Sequence, residues 1–155
     1  MRYGQYLDTS IGKLYMAEED GFLVELGTGS ARTEDCQQET ETLKNAAQQL
    51  QEYIVGKRYE FTIPICGKGT DFQQSVWKAL RDIPYGETRT YGEIAAAVGN
   101  AKAARAVGGA CNKNPIMIIV PCHRVIGADG RMVGFGGGLA LKEKLLKLEG
   151  IFAKY

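Results

Sequence analysis

The sequence predicts an α+β fold with two domains of different character. Short alternating segments separated by turn residues occupy the first 27 residues, a pattern typical of an antiparallel sheet. From about residue 70 onward, apolar residues recur mostly at helical spacing. The glycine-containing stretch Gly67–Thr70 lies between the two patterns and has the composition of a linker. We therefore predict a small sheet-plus-helix domain over residues 1–67 and a mainly helical domain with a helix-turn-helix over residues 70–155.

Three segments near the amino terminus predict an antiparallel meander, because turn residues separate them. These segments are Tyr3–Leu7, Gly12–Ala17 and Gly21–Leu26. Apolar residues at helical spacing predict a helix over residues 39–55, and Tyr59–Ile65 predicts a further strand that closes the domain. The domain contains no motif for an activity of its own, so we expect it to brace the second domain.

The second domain begins with a predicted helix that Thr70 or Asp71 caps and that ends before Pro84. We expect Trp77, on this helix, to pack in the core. Thr90 followed three residues later by Glu93 predicts a capping box at the start of another helix.

Gly99–Asn100 ends the helix that follows Thr90, and residues 103–111 predict the next one. Two helices joined by a short glycine turn are typical of a helix-turn-helix, although many core helix pairs have the same spacing. The second helix is rich in alanine and glycine and has few long polar side chains, so it is a poor reader of the major groove. Small residues instead favour close approach to the narrow minor groove. A final amphipathic helix is predicted from Leu139 to the glycine at position 150.

Charge is distributed unevenly along the chain. Residues 1–67 carry 6 Lys and Arg against 11 Asp and Glu, a net charge of −5, whereas residues 68–155 carry 13 against 7, a net charge of +6. A basic half is expected of a domain that meets an anion such as DNA. Ordinary variation in surface charge remains an alternative explanation of this asymmetry.

Ile116–Val120 is a run of five apolar residues that predicts a buried strand, and Pro121 ends it. Cys122 then follows, next to His123, the single histidine of the chain. A thiol reacts as a thiolate, and a histidine within reach can take its proton. A buried cysteine is most often inert, but the neighbouring histidine and proline favour a nucleophile here. Adjacent residues on an extended chain point to opposite sides, so we expect the histidine to act through a turn or a water.

Composition excludes several other classes of protein. The four cysteines are widely spaced and form no C-x-x-C pair, and one histidine is too few for a usual zinc site. We therefore expect no metal and no cofactor. The sequence has no run of 18 apolar residues and no signal-peptide pattern, which predicts an intracellular, cytoplasmic protein, or a nuclear one in a eukaryote, without a membrane partner. We expect a monomer in solution.

Pro121–Ile126 resembles the P-C-H-R-V active-site signature of the O6-alkylguanine-DNA alkyltransferases, the methylated-DNA–protein-cysteine methyltransferases. Four further segments match that family: the F-Q-x-x-V-W opening at Phe72–Trp77, Ala104–Gly109, Asn114–Pro115 and the closing L-L-x-x-E-G at Leu145–Gly150. The resemblance is close over the second half of the chain and loose over the first.

The resemblance implies roles for individual residues. Cys122 would accept the alkyl group, Glu149 would orient His123, and Tyr91 would donate a hydrogen bond to the flipped base. Asn114 would be the hinge that supports the turn before the active site, and Arg105 would fill the gap left by the extruded base. The DNA-contacting set implied in this way is Tyr91, Gly92, Asn100, Ala104, Arg105, Ala106, Gly108 and Ala128. The substrate pocket implied in this way is Cys111, Val133, Phe135 and Gly136.

The glycine-rich segment after the cysteine departs from the family pattern. Phe135 stands where a tyrosine is frequent, and Gly136 stands where some relatives have serine. Two side-chain hydroxyls are therefore missing, so a hydrogen bond from this segment to the guanine oxygen would have to come from the backbone. Our hypothesis is that a roomier segment tolerates bulkier alkyl groups.

The expected function is single-turnover transfer of an alkyl group from O6-alkylguanine in double-stranded DNA to Cys122, with O4-alkylthymine an open second substrate. A non-catalytic sensor of the same lesion is one alternative, which the presence of Cys122 disfavours. A helix-turn-helix regulator is another, which the scarcity of base-reading side chains disfavours. A cysteine hydrolase would need an oxyanion hole that the sequence does not indicate, and activated thioesters would test for it.

Overall fold

Residues 1–129 and 138–151 are described by the structure, which is a computed structural model of the chain. Its contacts divide the chain into two units, Met1–Lys68 and Gly69–Tyr155, and the division falls within the predicted linker. Among the described residues, no helix is both long enough and apolar enough to cross a membrane.

The first unit contains a three-stranded antiparallel sheet in the order β1-β2-β3, which confirms the predicted meander. The strands are β1 (Arg2–Thr9), β2 (Gly12–Glu19) and β3 (Phe22–Gly27). Gly21 has a φ of +84° in the tight turn between β2 and β3, a conformation that favours glycine.

One helix, α1 (Glu41–Ile54), packs against this sheet. Thr40 caps α1 by accepting a hydrogen bond from the backbone N–H of Leu43. The buried face of α1 carries residues at helical spacing, namely Leu43, Ala46, Leu50 and Tyr53. This face meets the buried central strand and forms the core of the unit, as the periodicity of residues 39–55 predicts.

The predicted strand at Tyr59–Ile65 is wrong. This segment forms only an isolated bridge between Ile65 and Leu23, in which Leu23 N donates to Pro64 O and Cys66 N donates to Leu23 O. Pro64 has no backbone N–H to give to a continuous ladder. The segment therefore lies beside β3 without becoming a fourth strand.

The second unit opens with α2 (Asp71–Arg81), which begins at a capping box between Thr70 and Gln73. Trp77 on this helix is 5% exposed, and its indole N–H donates to Ala110 O at 2.9 Å. The expected core role of Trp77 is confirmed, since a buried indole needs such an acceptor.

The predicted helix-turn-helix is present as α3 (Tyr91–Ala97) and α4 (Ala104–Asn112). Thr90 and Glu93 form the predicted capping box, with both reciprocal hydrogen bonds in place. Gly99 has a φ of +87° in the turn between the two helices. Thr90 also belongs to a two-residue strand, β4 (Arg89–Thr90), which leads directly into α3.

The remaining elements bring the cysteine next to α3. A 3-10 turn, Cys122–Arg124, leads into β5 (Val125–Ile126), and the last helix of the described residues is α5 (Leu139–Leu148). Strand β5 pairs in parallel with β4. Because β4 runs into α3 and β5 leaves the 3-10 turn, this small sheet ties the start of the helix-turn-helix to the cysteine.

The predicted strand at Ile116–Val120 is also wrong, although all five residues are buried as expected. The backbone folds back on itself, with Val120 N donating to Ile116 O and Ile119 N donating to Met117 O. Prolines 115 and 121 flank the segment and lack backbone donors. An apolar run shows burial but cannot distinguish a buried strand from a buried turn. The α+β fold class with a helical second unit is confirmed nevertheless.

Candidate active site

Cys122 lies at the first position of the 3-10 turn and is 4% exposed. It is therefore presented by a tight turn, and not by the end of a strand as the sequence predicts. Burial raises the pKa of its thiol, while a hydrogen bond from Asn114 and the charge of Lys142 act in the opposite direction. At neutral pH the resting group is the thiol, so the thiolate has to be generated for reaction.

Asn114 braces the turn that leads to the cysteine. Its Nδ2 donates to Val120 O at 2.9 Å, and its Oδ1 accepts from Ile116 N at 3.0 Å. Between these two anchors, Ile118 has a φ of +73°, which is a strained conformation for a β-branched residue. The side chain of Asn114 thus joins the backbone at Ile116 to the backbone at Val120.

His123 and Glu149 form a fully buried pair. The Nε2 atom of His123 lies 2.6 Å from Oε2 of Glu149, and neither side chain is exposed. Glu149 is the residue that follows the last residue of α5, where a glutamate would ordinarily be solvated. The contact between these two residues is the one that the resemblance implies.

Arg124 holds the Glu149 carboxylate from the other side. Its Nε and Nη2 donate to the two carboxylate oxygens at 2.9 and 3.2 Å, and its Nη1 donates to Ile83 O at 2.8 Å. The backbone N–H of Gly86 donates to the same carboxylate at 3.0 Å. These bonds fix the carboxylate against the imidazole and balance its negative charge.

The imidazole of His123 is neutral at pH 7. Burial lowers its pKa, and although Glu149 raises it, the charges of Arg124 and Lys142 lower it further. A neutral ring that donates its Nε2 proton to Glu149 keeps a lone pair on Nδ1. The arrangement can therefore take up one proton at Nδ1 while Glu149 stabilises the resulting cation.

Tyr91 is the first residue of α3 and is half-buried beside the two buried thiols of this unit. Burial, with smaller effects from Cys111 and Cys122, raises the pKa of Tyr91 to about 12. Its phenol is therefore protonated at neutral pH and can donate a hydrogen bond. Burial and Cys122 likewise raise the pKa of Cys111 to about 12, so Cys111 is a poor nucleophile.

Lys142 is a site residue that the sequence analysis missed. It lies on α5 with none of its surface exposed, and its Nζ donates to Val125 O at 2.6 Å. Leu145 and Leu146, three and four residues later, are also buried. A lysine on the apolar face of the amphipathic helix was the signal that could have revealed it.

The residues expected to contact DNA occupy accessible positions around the helix-turn-helix. Gly92, Asn100, Arg105, Ala106 and Ala128 are exposed, whereas Ala104 and Gly108 are half-buried. A side chain at Gly108 would come within 3.8 Å of the Tyr91 ring, which links α4 to the residue expected beside the base. Of the expected substrate pocket, Cys111 is buried near Cys122. Val133, Phe135 and Gly136 lie outside the described residues.

Within residues 1–129 and 138–151, no group of three or more His, Cys, Asp or Glu side chains is placed to hold a metal ion.

The fold and the site together define a class of protein, in which a helix-turn-helix adjoins a buried cysteine, histidine and glutamate. Comparison with known proteins identifies the family within this class.

Two domain models of one family match the chain in succession. The ribonuclease-like domain of 6-O-methylguanine DNA methyltransferase matches residues 1–66, and the DNA-binding domain of the same family matches residues 71–151. The chain belongs to the 6-O-methylguanine DNA methyltransferase family.

Curated relatives carry one common name, methylated-DNA–protein-cysteine methyltransferase. The protein from Methanosarcina barkeri is 48% identical over 95% of this chain and 96% of its own length. The constitutive protein from Bacillus subtilis is 44% identical over 99% of both chains. Among solved structures, Mycobacterium tuberculosis OGT in complex with DNA is similar with a TM-score of 0.89 and 47% identity, over 96% of this chain and 93% of that chain.

Family membership establishes the general activity. The protein is a DNA-binding transferase of DNA repair that moves a methyl group from methylated DNA to a protein cysteine.

Proposed function

We propose that Cys122 accepts the alkyl group from O6-alkylguanine in double-stranded DNA, once per protein molecule. One observation carries this proposal, which is a series of buried contacts next to Cys122. Arg124 bonds to the carboxylate of Glu149, and this carboxylate bonds to His123, which is neutral and adjoins Cys122 in the chain. Cys111, the other buried thiol of this unit, has no adjoining histidine in the sequence, and its pKa of about 12 disfavours ionisation.

The reaction begins with proton transfer from the thiol. The proton leaves Sγ of Cys122 and binds Nδ1 of His123, directly or through a water, and Glu149 stabilises the imidazolium. The thiolate then attacks the alkyl carbon in line with the O6–carbon bond. A carbon–sulfur bond forms as the carbon–oxygen bond breaks, and the electron pair of the broken bond goes to the guanine.

The guanine anion needs a hydrogen-bond donor as it leaves. Tyr91 suits this role because its pKa is raised to about 12, so its phenol keeps its proton at neutral pH. It also lies at the start of α3, beside Cys122. The product on the protein is a thioether, whose carbon–sulfur bond has no activated leaving group. Each molecule therefore reacts once.

The base must leave the helical stack to react. Cys122 is 4% exposed, so a base that remains paired within a duplex cannot reach it. We infer that α4 approaches the minor groove, because its exposed face carries small residues and permits close contact. Arg105 is the long side chain exposed on this helix, and we assign it to the space that the extruded base leaves.

Replacement of each buried cysteine tests the identity of the acceptor. Cys122→Ser should abolish methyl transfer while binding to duplex DNA with O6-methylguanine persists, because only the nucleophile changes. Cys111→Ser is the matched control, a buried thiol of the same unit, and should still form the adduct. Transfer that survives in Cys122→Ser, or disappears in Cys111→Ser alone, would contradict the proposal.

Base extrusion is tested with Arg105→Ala. This variant should react at least tenfold more slowly with O6-methylguanine in a duplex, yet react normally with a free O6-alkylguanine base, because a free base needs no extrusion. Arg81→Ala, an exposed arginine on α2, is the control and should match the unchanged protein on both substrates. Equal losses of Arg105→Ala on both substrates would refute the role in extrusion.

A further inference from the structure

A tight turn between α2 and β4 contacts the acid of the candidate active site. The backbone N–H of Glu87 donates to Pro84 O at 3.1 Å, and Gly86 has a φ of +81°, a value that favours glycine. The backbone N–H of Gly86 donates to the carboxylate of Glu149 at 3.0 Å. This turn, called the 83–86 turn after its residues, therefore holds the acid through its own backbone.

The 83–86 turn also holds the arginine that pairs with this acid. Ile83 O accepts a hydrogen bond from Nη1 of Arg124 at 2.8 Å. The ring of Tyr85 lies beside the same guanidinium, with its centroid 5.8 Å from Cζ of Arg124. A cation at this distance over an aromatic face is attracted to the ring. Both members of the buried ion pair are thus in contact with one turn.

Tyr85 also contacts the end of α5. Its hydroxyl donates to the carbonyl of Leu148, the last residue of this helix, at 3.3 Å. The carbonyls of the last helical turn have no partner within the helix, so a side-chain donor can fix the helix end. Glu149 is the next residue. The bond is long for two oxygens, so we expect a small effect from the hydroxyl alone and a larger effect from the hydroxyl and ring together.

We propose that Tyr85 is a positioning residue that keeps the carboxylate of Glu149 against the imidazole of His123. Tyr85 neither gains nor loses a proton. It acts through Arg124 and the end of α5, and it preserves the 2.6 Å contact by which the carboxylate stabilises the imidazolium. This role rests on the proposal that Cys122 is the acceptor and that its proton goes to His123.

The surroundings of Tyr85 favour positioning over core packing. The side chain is half-buried, whereas Trp77 and Ile83, which pack in the core of this unit, are 5% and 3% exposed. The two contacts described for Tyr85 are with a cation and with a carbonyl oxygen. Removal of its ring should therefore affect the ion pair more than the stability of the unit.

Two substitutions separate the contribution of the hydroxyl from that of the ring. Tyr85→Phe removes the hydrogen bond to Leu148 and should slow alkylation about threefold. Tyr85→Leu also removes the ring beside Arg124 and should slow alkylation about tenfold. The rate is measured with free O6-benzylguanine, so that DNA binding has no influence. Tyr59→Leu, an exposed tyrosine of the first unit, is the control and should match the unchanged protein.

A double substitution shows whether Tyr85 acts through Glu149. Glu149→Gln should slow alkylation about 100-fold by itself. Because Tyr85 has nothing further to position once the carboxylate is gone, Tyr85→Leu with Glu149→Gln should react within about twofold of Glu149→Gln alone. A double variant that is slower by the product of the two single effects would overturn the inference.

Proton exchange measures the His123–Glu149 contact without any reaction. His123 is the single histidine and Trp77 the single tryptophan, so NMR with 15N label in both side chains gives one ring signal from each. The Nε2 proton of His123 should exchange with water about tenfold faster in Tyr85→Leu and about threefold faster in Tyr85→Phe. The indole proton of Trp77, bonded to Ala110 O in the same unit, should keep its rate of exchange.

These measurements also separate positioning from general loosening. A folded Tyr85→Leu with an unchanged alkylation rate, or with unchanged imidazole exchange, would overturn the inference. Equal acceleration at the indole and the imidazole would do so too, since the whole unit would then be loosened. If Tyr85→Leu does not fold, Tyr85→Phe decides by the same criteria. An adduct away from Cys122 would instead refute the acceptor assignment, on which the proton exchange does not depend.

Discussion

Each unit of the molecule contains a buried cluster in which an arginine pairs with a carboxylate. The two clusters differ in their terminal group, which is the uncharged side chain that hydrogen-bonds to the carboxylate. In the first unit, Arg2 pairs with Glu25 and with Asp35, the latter at 2.6 Å, and the hydroxyl of Tyr15 donates to Asp35 at 2.6 Å. In the second unit, Arg124 pairs with Glu149, and Glu149 holds an imidazole.

The terminal group decides what each cluster can do. Burial and Asp35 raise the pKa of Tyr15 to about 12, so the terminal group of this cluster is a phenol that keeps its proton at neutral pH. Burial lowers the pKa of His123, so the other cluster ends in a neutral base next to a thiol. A buried ion pair is therefore not a sign of function by itself. In the first unit, it ties the segment around Asp35 to the sheet.

Matched removal of one carboxylate charge from each cluster should give the largest effects. Asp35→Asn and Glu149→Gln each leave a buried arginine without its full counter-charge, which should cost about 3 kcal/mol of unfolding free energy. Only Glu149→Gln should also slow alkyl transfer, by about 100-fold, because His123 loses the anion that stabilises its cation. Denaturant unfolding and single-turnover rates measure the two effects.

The comparison between clusters would fail if Asp35→Asn slowed transfer as much as Glu149→Gln at a pH and temperature where both variants are folded. A Glu149→Gln variant that transferred at the normal rate would show that Glu149 has only a structural role.

The two clusters should also respond to acid in different pH ranges. The folded pKa of His123 lies below its ordinary value of 6.5, so the unfolded chain takes up this proton first and stability falls as pH drops through 6.5. The folded pKa of Asp35 lies below 3.8, so the stability that it contributes persists above 3.8 and is lost as pH falls through the folded value.

Trp77 is the single tryptophan and lies in the second unit, so its fluorescence reports unfolding there. Between pH 7 and pH 5, the unfolding free energy reported by Trp77 should decline, and His123→Asn should remove that part of the decline. Asp35→Asn should leave this part unchanged. A decline of equal size in His123→Asn would assign it to another group.

Helix caps should show the smallest difference between the units. Thr40→Ala at the start of α1 and Thr90→Ala at the start of α3 should each cost about 1 kcal/mol, because each removes a side-chain acceptor for a backbone N–H. Thr90→Ala should also slow transfer severalfold, since Tyr91 is the next residue. Equal transfer rates in both variants would show that the cap does not position Tyr91.

Local signals in the sequence were sufficient for the parts of the fold that local interactions determine. The meander follows from alternation and turn residues, and the capping box of Thr90 and Glu93 is a contact between residues three apart. Both segments that we predict as strands, Tyr59–Ile65 and Ile116–Val120, are rich in aromatic or β-branched residues. Whether such a segment pairs with a neighbouring strand depends on the positions of prolines and on tertiary contacts. The spacing of apolar residues does not reveal these tertiary contacts.

The candidate site likewise has contacts that the sequence reveals and contacts that it does not reveal. The adjacency of Cys122 and His123 was visible in the sequence, but the position of Glu149 beside His123 was implied by family resemblance alone. From the residues themselves, a glutamate before a glycine at a helix end is expected in solvent. Lys142 was missed because its neighbours Val125 and Tyr91 are 17 and 51 residues distant in the chain.

The mass of the protein after reaction shows most directly whether Cys122 is the alkyl acceptor. The protein would be incubated with excess duplex DNA containing O6-methylguanine, and the intact protein and its peptides would then be weighed. If Cys122 is the acceptor, we expect a gain of one methyl group on the peptide that contains Cys122, saturating at one per protein molecule. A methyl group on another cysteine, continued turnover beyond one per molecule, or no adduct despite lesion binding would contradict it.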